Sequence, residues 1–244
     1  MKKSILCILF CLTAILCIWA VYAYTLVGEY QDKLWLHCAN SIEKWQEKAD
    51  TYPNAEVDLI FCKGKFHVAH DTAEICDLTI DSYFAEMNRR QGKLWLDIKN
   101  LNPDNISYAL HYLDSLCLTH QVEKERLIVE SDNIDALSTF THTGKYFTSY
   151  YVKSPRPSEL STEECNQILQ KLNQIANSGN VSALSFPHYW YNTILTELHS
   201  DIPLLTWDHH TSEWLFHLSF WKRKMLQDPQ VKVILVKSKG EYHR

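Results

Sequence analysis

From residue 33 to residue 236 the chain repeats one pattern: a short apolar run, a few turn residues, then a longer segment of helical period. The apolar runs fall at 33–37, 55–60, 93–98, 126–130, 146–151, 181–186, 203–207 and 231–236. Helical periodicity lies between them, at 41–51, 79–90, 103–118, 132–141, 158–177, 189–199 and 212–227, with Ser41, Asp81, Asp132, Ser158 and Ser212 placed to open helices. Seven helices between eight strands predict the α/β class and a (β/α)8 TIM barrel. An open doubly wound sheet shares the alternation but carries a glycine-rich phosphate loop after its first strand, and His37-Cys38-Ala39-Asn40 is nothing like one. No linker-like stretch interrupts the pattern, so residues 28–244 are expected to form one domain.

Residues 1–27 read differently. After Lys2 and Lys3 an apolar run covers 5–27, and the first acid is Glu29. As a helix this run reaches about 34 Å, enough for a hydrocarbon core of about 30 Å. It is longer than the apolar core of a usual secretion signal, which favours a retained signal anchor, although Val21-Tyr22-Ala23 offers a weak cleavage site for a signal peptide. Either way the two lysines stay inside, and the domain lies on the extracytoplasmic side, membrane-anchored or secreted. A lipoprotein signal is excluded by Leu16 before Cys17.

The charge of the whole chain is −5, and without the first 27 residues it is −7, with 22 basic against 29 acidic groups. No basic run breaks this balance, so no nucleic-acid partner is expected. A hydrophobic content of 46% excludes a disordered chain. Five cysteines remain beyond residue 27, namely Cys38, Cys62, Cys76, Cys117 and Cys165. Their spacing matches no zinc motif, so buried small hydrophobes with room for one disulfide are expected.

In a barrel the reacting groups stand at the C-terminal ends of the strands, and here those ends are polar. Alternation turns Leu34, Leu36, Val57, Leu59, Leu94, Leu96 and Ile98 toward the helices. It therefore turns His37, Glu56, Asp58, Asp97 and Lys99 inward at one mouth. Three carboxylates crowded together repel one another unless a cation sits among them, and hard oxygen ligands suit one divalent ion, Mg2+ or Ca2+. Residues 65–71 read as an extension returning over the mouth and bringing His70. Two histidines beside a cation suit cleavage of a phosphodiester, one taking a proton and the other giving one.

Other groups fall at or beyond strand ends: Glu130, Lys153, His188 and Asp208. Asp208-His209-His210 invites a transition-metal reading, but adjacent histidines on an extended chain point apart. Cys38 beside His37 suggests a thiol nucleophile. On a strand it would face the helix layer instead, so core packing is expected.

The set His37-x-x-Asn40, Glu56-x-Asp58, His70-Asp71, Asp97-x-Lys99 and Trp207 resembles the superfamily of glycerophosphodiester phosphodiesterases and phosphatidylinositol-specific phospholipase C, which are TIM barrels. His37-Cys38-Ala39-Asn40-Ser41 and Leu96-Asp97-Ile98-Lys99 are most similar to its menorin-like and sphingomyelinase D branches. Against the glycerophosphodiesterase pattern, Cys38 stands in place of Arg and Asp97 in place of Glu. The resemblance implies a phosphoric diester hydrolase acting on a glycerophosphodiester or a phospholipid head group. It implies His37 and His70 as the acid/base pair, Lys99 as the phosphate partner, and Glu56, Asp58 and Asp97 as metal ligands. Asn40, Glu130 and Trp207 are expected to line the substrate pocket. The rival expectation is a barrel that binds at a cell surface without cleaving.

Overall fold

The computed structural model describes residues 2–208 and 211–238, with side chains from residue 7 onward. Eight parallel strands, β1 (Leu34–Leu36), β2 (Ala55–Cys62), β4 (Leu94–Ile98), β5 (Leu127–Ser131), β6 (Phe147–Tyr151), β7 (Ala183–Pro187), β8 (Leu204–Trp207) and β9 (Val231–Val236), pair in chain order. β1 pairs with both β9 and β2, which closes the expected TIM barrel. The extra strand β3 (Lys65–Val68) runs antiparallel to β2 as the return arm of a hairpin. Lys63 and Gly64 between them both have positive φ, the two-residue turn whose twist matches a hairpin.

Helices α2 (Ile42–Lys48), α3 (Asp81–Arg90), α4 (Ile106–His120), α5 (Ile134–His142), α6 (Thr162–Asn177) and α7 (Tyr191–Glu197) lie where the periodicity puts them. The expected helix over 212–227 is instead two, α8 (Trp214–Leu218) and α9 (Phe220–Gln227). Ser219 stands extended between them and its side chain caps α9, an alternative partner that a hydroxyl offers the backbone. Of the expected caps, Ser41 accepts from the Lys44 amide. The others move: Asn133 caps α5 in place of Asp132. Ser161, in a capping box with Glu164, opens α6 in place of Ser158. Asp81 is the first residue of α3, where its carboxylate takes the Thr79 and Tyr112 hydroxyls, and Ser212 precedes α8 without capping it.

The alternation of the strands separates two apolar layers. Leu34, Leu36, Val57, Leu59, Leu94, Leu96 and Ile98 are buried against the helices. Trp35, Trp95, Ile128, Leu205 and Val233 fill the barrel interior below the mouth. Gly92 is required where α3 turns back to the sheet, since a Cβ there would meet the Pro53 carbonyl oxygen at 2.2 Å.

The N-terminal helix α1 (Lys2–Glu29) includes a segment, Cys7–Glu29, long and apolar enough to cross a bilayer. Its last turns belong to the domain: Ala23, Leu26 and Val27 are buried. Tyr24 stacks on His217 of α8 at 5.9 Å, and Arg223 of α9 lies over the Trp19 ring at 5.1 Å. All eight cysteines are free. Of the five in the domain only Cys117 is buried, so the expectation of buried cysteines with a disulfide gives way to thiols at several depths.

Candidate active site

β1, β2 and β4 carry alternate residues inward, and their last inward residues meet at the C-terminal mouth. The recess there is lined by His37, Glu56, Asp58, His70, Asp97, Lys99, Glu130 and Trp207, together with Cys38, Tyr151 and Leu235. The ligand atoms of Glu56, Asp58 and Asp97 lie within 4.8 Å of one another, and all three residues are buried. The β2–β4 register puts Asp58 directly beside Asp97, and Asp97 in turn beside Glu130 of β5. His70 arrives by the hairpin: the Ala69 amide bonds the Asp58 carbonyl oxygen, which places the next residue at the rim.

One ammonium serves the carboxylates. Lys99 Nζ contacts Asp58 Oδ1 at 2.7 Å and also bonds Asp97 Oδ2. Asn40 does not line the recess. Its amide grips Asp58 at both ends, donating to Oδ2 at 2.7 Å and accepting from the Asp58 backbone at 3.0 Å. The charges divide accordingly. Asp58 is buried, yet Lys99 and Asn40 hold its carboxyl below the usual range. Burial pushes Glu56 well up, and Asp58 and Asp97 push it further. Asp97 is pushed up to about 6 by burial, against the pull of Lys99 and with Asp58 adding to the rise. Glu130 is raised by burial and by Asp97, and the Ser149 and Ser185 hydroxyls face it.

Three buried hard-oxygen donors, two of them sharing one ammonium, fit a divalent cation of the Mg2+ or Ca2+ kind. Lys99 bridges two of the three, Asp58 and Asp97. A second group, His37, Cys38 and Glu56, also has its ligand atoms within 4.8 Å and shares Glu56 with the first. Its sulfur suits a softer metal, but the Cys38 thiol is held protonated, its pKa raised by burial and by Glu56 and Asp58.

Cys38 corrects the expectation of core packing. With φ of 50° it is in the left-handed region, so strand alternation stops at His37 and the side chain turns into the recess. The turn is clamped from both sides. The Cys38 amide donates to Glu56 Oε2 at 2.6 Å, and the Lys44 ammonium, buried on α2, donates to the His37 and Cys38 carbonyl oxygens at 3.1 and 2.7 Å. A thiol held protonated is a poor nucleophile. Labelling with iodoacetamide at about pH 8 is therefore expected to be about tenfold slower at Cys38 than at the exposed Cys76, followed by peptide mass spectrometry. Equal rates would show an ionised Cys38.

Sequence reasoning missed Tyr151 and Lys44. Tyr151 ends β6 and stacks on Trp207 with ring centroids 5.6 Å apart and planes at 8°, making one aromatic wall. Its position at a strand end was the available signal. Lys44 has none, since a lysine in a short amphipathic helix reads as solvated. Lys153 lines a neighbouring pocket rather than the recess. His188 and Asp208 do not line it either: they pair at 3.1 Å, where Lys222 also approaches Asp208 at 3.7 Å. The pair His209-His210 lies outside the described residues.

No protein-family model matches the chain, and no curated protein matches it. Solved structures do. A Silicibacter pomeroyi protein assigned as a glycerophosphoryl diester phosphodiesterase superposes with a TM-score of 0.60 at 12% identity, covering 87% of this chain and 93% of that one. A glycerophosphodiester phosphodiesterase from Parabacteroides distasonis gives 0.53 at 14% identity, covering 85% and 93%. An Oleispira antarctica phosphodiesterase, solved with its product sn-glycerol-3-phosphate, gives 0.55 at 11% identity, covering 88% and 94%. At these identities the likeness is one of fold.

Proposed function

We propose that the chain is a metal-dependent phosphoric diester hydrolase, with residues 28–244 as the catalytic barrel and 1–27 as a signal anchor that holds it on the extracytoplasmic side. The observation that carries this reading is the meeting of two histidines, four carboxyl groups and a lysine in one recess at the C-terminal mouth. The fold shared with glycerophosphodiester phosphodiesterases, one of them solved with a phosphate ester product, supports it.

Glu56, Asp58 and Asp97 would hold the cation, and a cation bound there offsets charge on the phosphate oxygens. Asn40 keeps Asp58 in place and ionised. Lys99, whose ammonium reaches Asp58 and Asp97 at the mouth, would pair with a non-bridging phosphate oxygen. One histidine takes the proton from the attacking water or hydroxyl as the new P–O bond forms. The other protonates the alcohol oxygen as the old P–O bond breaks. Glu130, its pKa raised by burial and by Asp97, lines the recess beside the reacting phosphate, and Trp207 against Tyr151 walls the substrate.

The test is product release from a chromogenic diester, glycerophosphodiesters, lysophospholipids and sphingomyelin by the full chain, with and without chelator, restoring Mg2+, Ca2+ or Zn2+ in turn. Turnover that needs Mg2+ or Ca2+ supports the proposal, and Zn2+ alone would move the metal to His37, Cys38 and Glu56. Silence across the panel from a folded, cation-binding protein would favour a surface binding module. Cys38, in the recess where the resemblance has Arg, is the observation that keeps that second reading.

A further inference from the structure

Large apolar side chains exposed to solvent are confined to few places among the described residues. Outside α1 they are Tyr108 and Leu118 on α4, and Trp214, Leu218, Phe220 and Trp221 on α8 and α9, the last four all more than half exposed. Helix α4 joins β4 to β5, while α8 and α9 join β8 to β9, so the two groups lie on opposite flanks of the barrel. The group of four lies on the helices that receive α1, through Tyr24 on His217 and Trp19 under Arg223. The buried Ala23, Leu26 and Val27 make that docking part of the domain packing rather than a flexible tether.

A track of aromatic side chains leads from this ridge to the recess. Trp221 lines a pocket with His188, Tyr189 and Lys222. Tyr189 lines the next pocket with Tyr151 and Trp207, the pair that walls the recess. Lys222 ties α9 to the end of β8 through Thr211 at 2.8 Å and Asp208 at 3.7 Å.

We propose that Trp214, Leu218, Phe220 and Trp221 lie in the interfacial layer of the bilayer that α1 enters, so that the substrate is a membrane phospholipid whose head group reaches the recess past Tyr189 and Trp207. Tryptophan, phenylalanine and leucine on one face favour that layer, and four such residues beside a bilayer-length apolar helix enter it together. The substrate part rests on the hydrolase reading above. The placement of the ridge does not.

The test uses the full chain reconstituted in phosphatidylcholine vesicles whose acyl chains carry bromine near the head-group end or near the methyl end. Subtracting the emission of W214F and W221F variants from the wild type isolates the two ridge tryptophans. Both are expected to be quenched, more strongly by the shallow bromines. Unquenched ridge tryptophans in protein whose Trp19 is quenched would overturn the proposal, since α1 would then insert without the ridge. In the second arm, W214S/F220S/W221S is expected to lose about tenfold in turnover of vesicle phospholipid and to keep its turnover of a soluble diester. Equal loss on both would overturn the membrane role. No turnover on either by the wild type would count against the hydrolase reading alone, leaving the quenching to decide the ridge.

Discussion

Replacing His70 by Ala is expected to lower kcat on a cleaved diester by about 10²–10⁴-fold while leaving thermal unfolding unchanged. The two halves of this expectation have separate causes. The His70 ring is exposed at the rim, so its removal opens no cavity, and the hairpin that carries it is held by backbone bonds from Ala69 to Asp58 and along β2 and β3. What is lost is a proton carrier beside Asp58 and Asp97. His37 is buried between Cys38 and the end of β9, so H37A removes packing as well, and H37Q is the cleaner partner variant. If the two histidines act as acid and base, the pH profile of kcat/KM is a bell, and each variant erases one limb. The limb that vanishes in H70A assigns its role. Retained turnover in H70A, or a bell left intact, would remove His70 from the chemistry.

The strands of this fold were legible because alternation does two jobs at once in a barrel. Leu34, Leu36, Val57, Leu59, Leu94, Leu96 and Ile98 had to face helices, and that alone sent His37, Glu56, Asp58, Asp97 and Lys99 to the mouth. The same rule failed one residue later. Cys38 leaves the strand in a left-handed turn, set by Glu56 on β2 and Lys44 on α2, contacts that exist only once that strand and that helix have packed together. Helix ends were legible to within a few residues for a similar reason. Ser158 and Ser161 offer the backbone equivalent hydroxyls, and only Ser161 has Glu164 three residues on to complete a capping box. Ser219 looks like an interior residue of one long periodic helix, and its side chain takes the Lys222 amide instead, breaking the helix where the aromatic ridge turns. Asn40 was legible as part of the mouth but not as the partner of Asp58, because that pairing depends on the stagger between β1 and β2.

Adding Ca2+ or Mg2+ to chelated protein at about pH 7.5 is expected to raise the unfolding temperature by about 5–10 °C at a hundredfold excess over Kd. The rise should be largely gone at about pH 5. The sign follows from the carboxylates. Asp97, with its pKa pushed up to about 6, and Glu56, also raised, keep protons in the folded chain that the unfolded chain gives up near pH 4. The contribution of Asp97 to stability is therefore complete in acid and is lost as the pH rises through about 6, at a cost of about 3 kcal/mol, and that of Glu56 is lost in the same direction as the pH rises through its own raised value. Asp58 runs the other way: its lowered pKa stabilises the fold at neutral pH, and that contribution fades only as the pH falls through its folded value. A cation pairs with the ionised carboxylates of Glu56 and Asp97, so it restores at neutral pH what their ionisation costs and competes with protons in acid. D97N should separate the terms. It keeps the neutral form that burial already favours, so the chelated variant is expected to be at least as stable as the chelated wild type at about pH 7.5. It also withdraws one of three hard ligands, so the rise with cation should shrink to a small fraction. Differential scanning calorimetry at the two pH values, with and without chelator, reads all four states. A cation response that is undiminished in acid, or undiminished in D97N, would place the ion away from Glu56, Asp58 and Asp97.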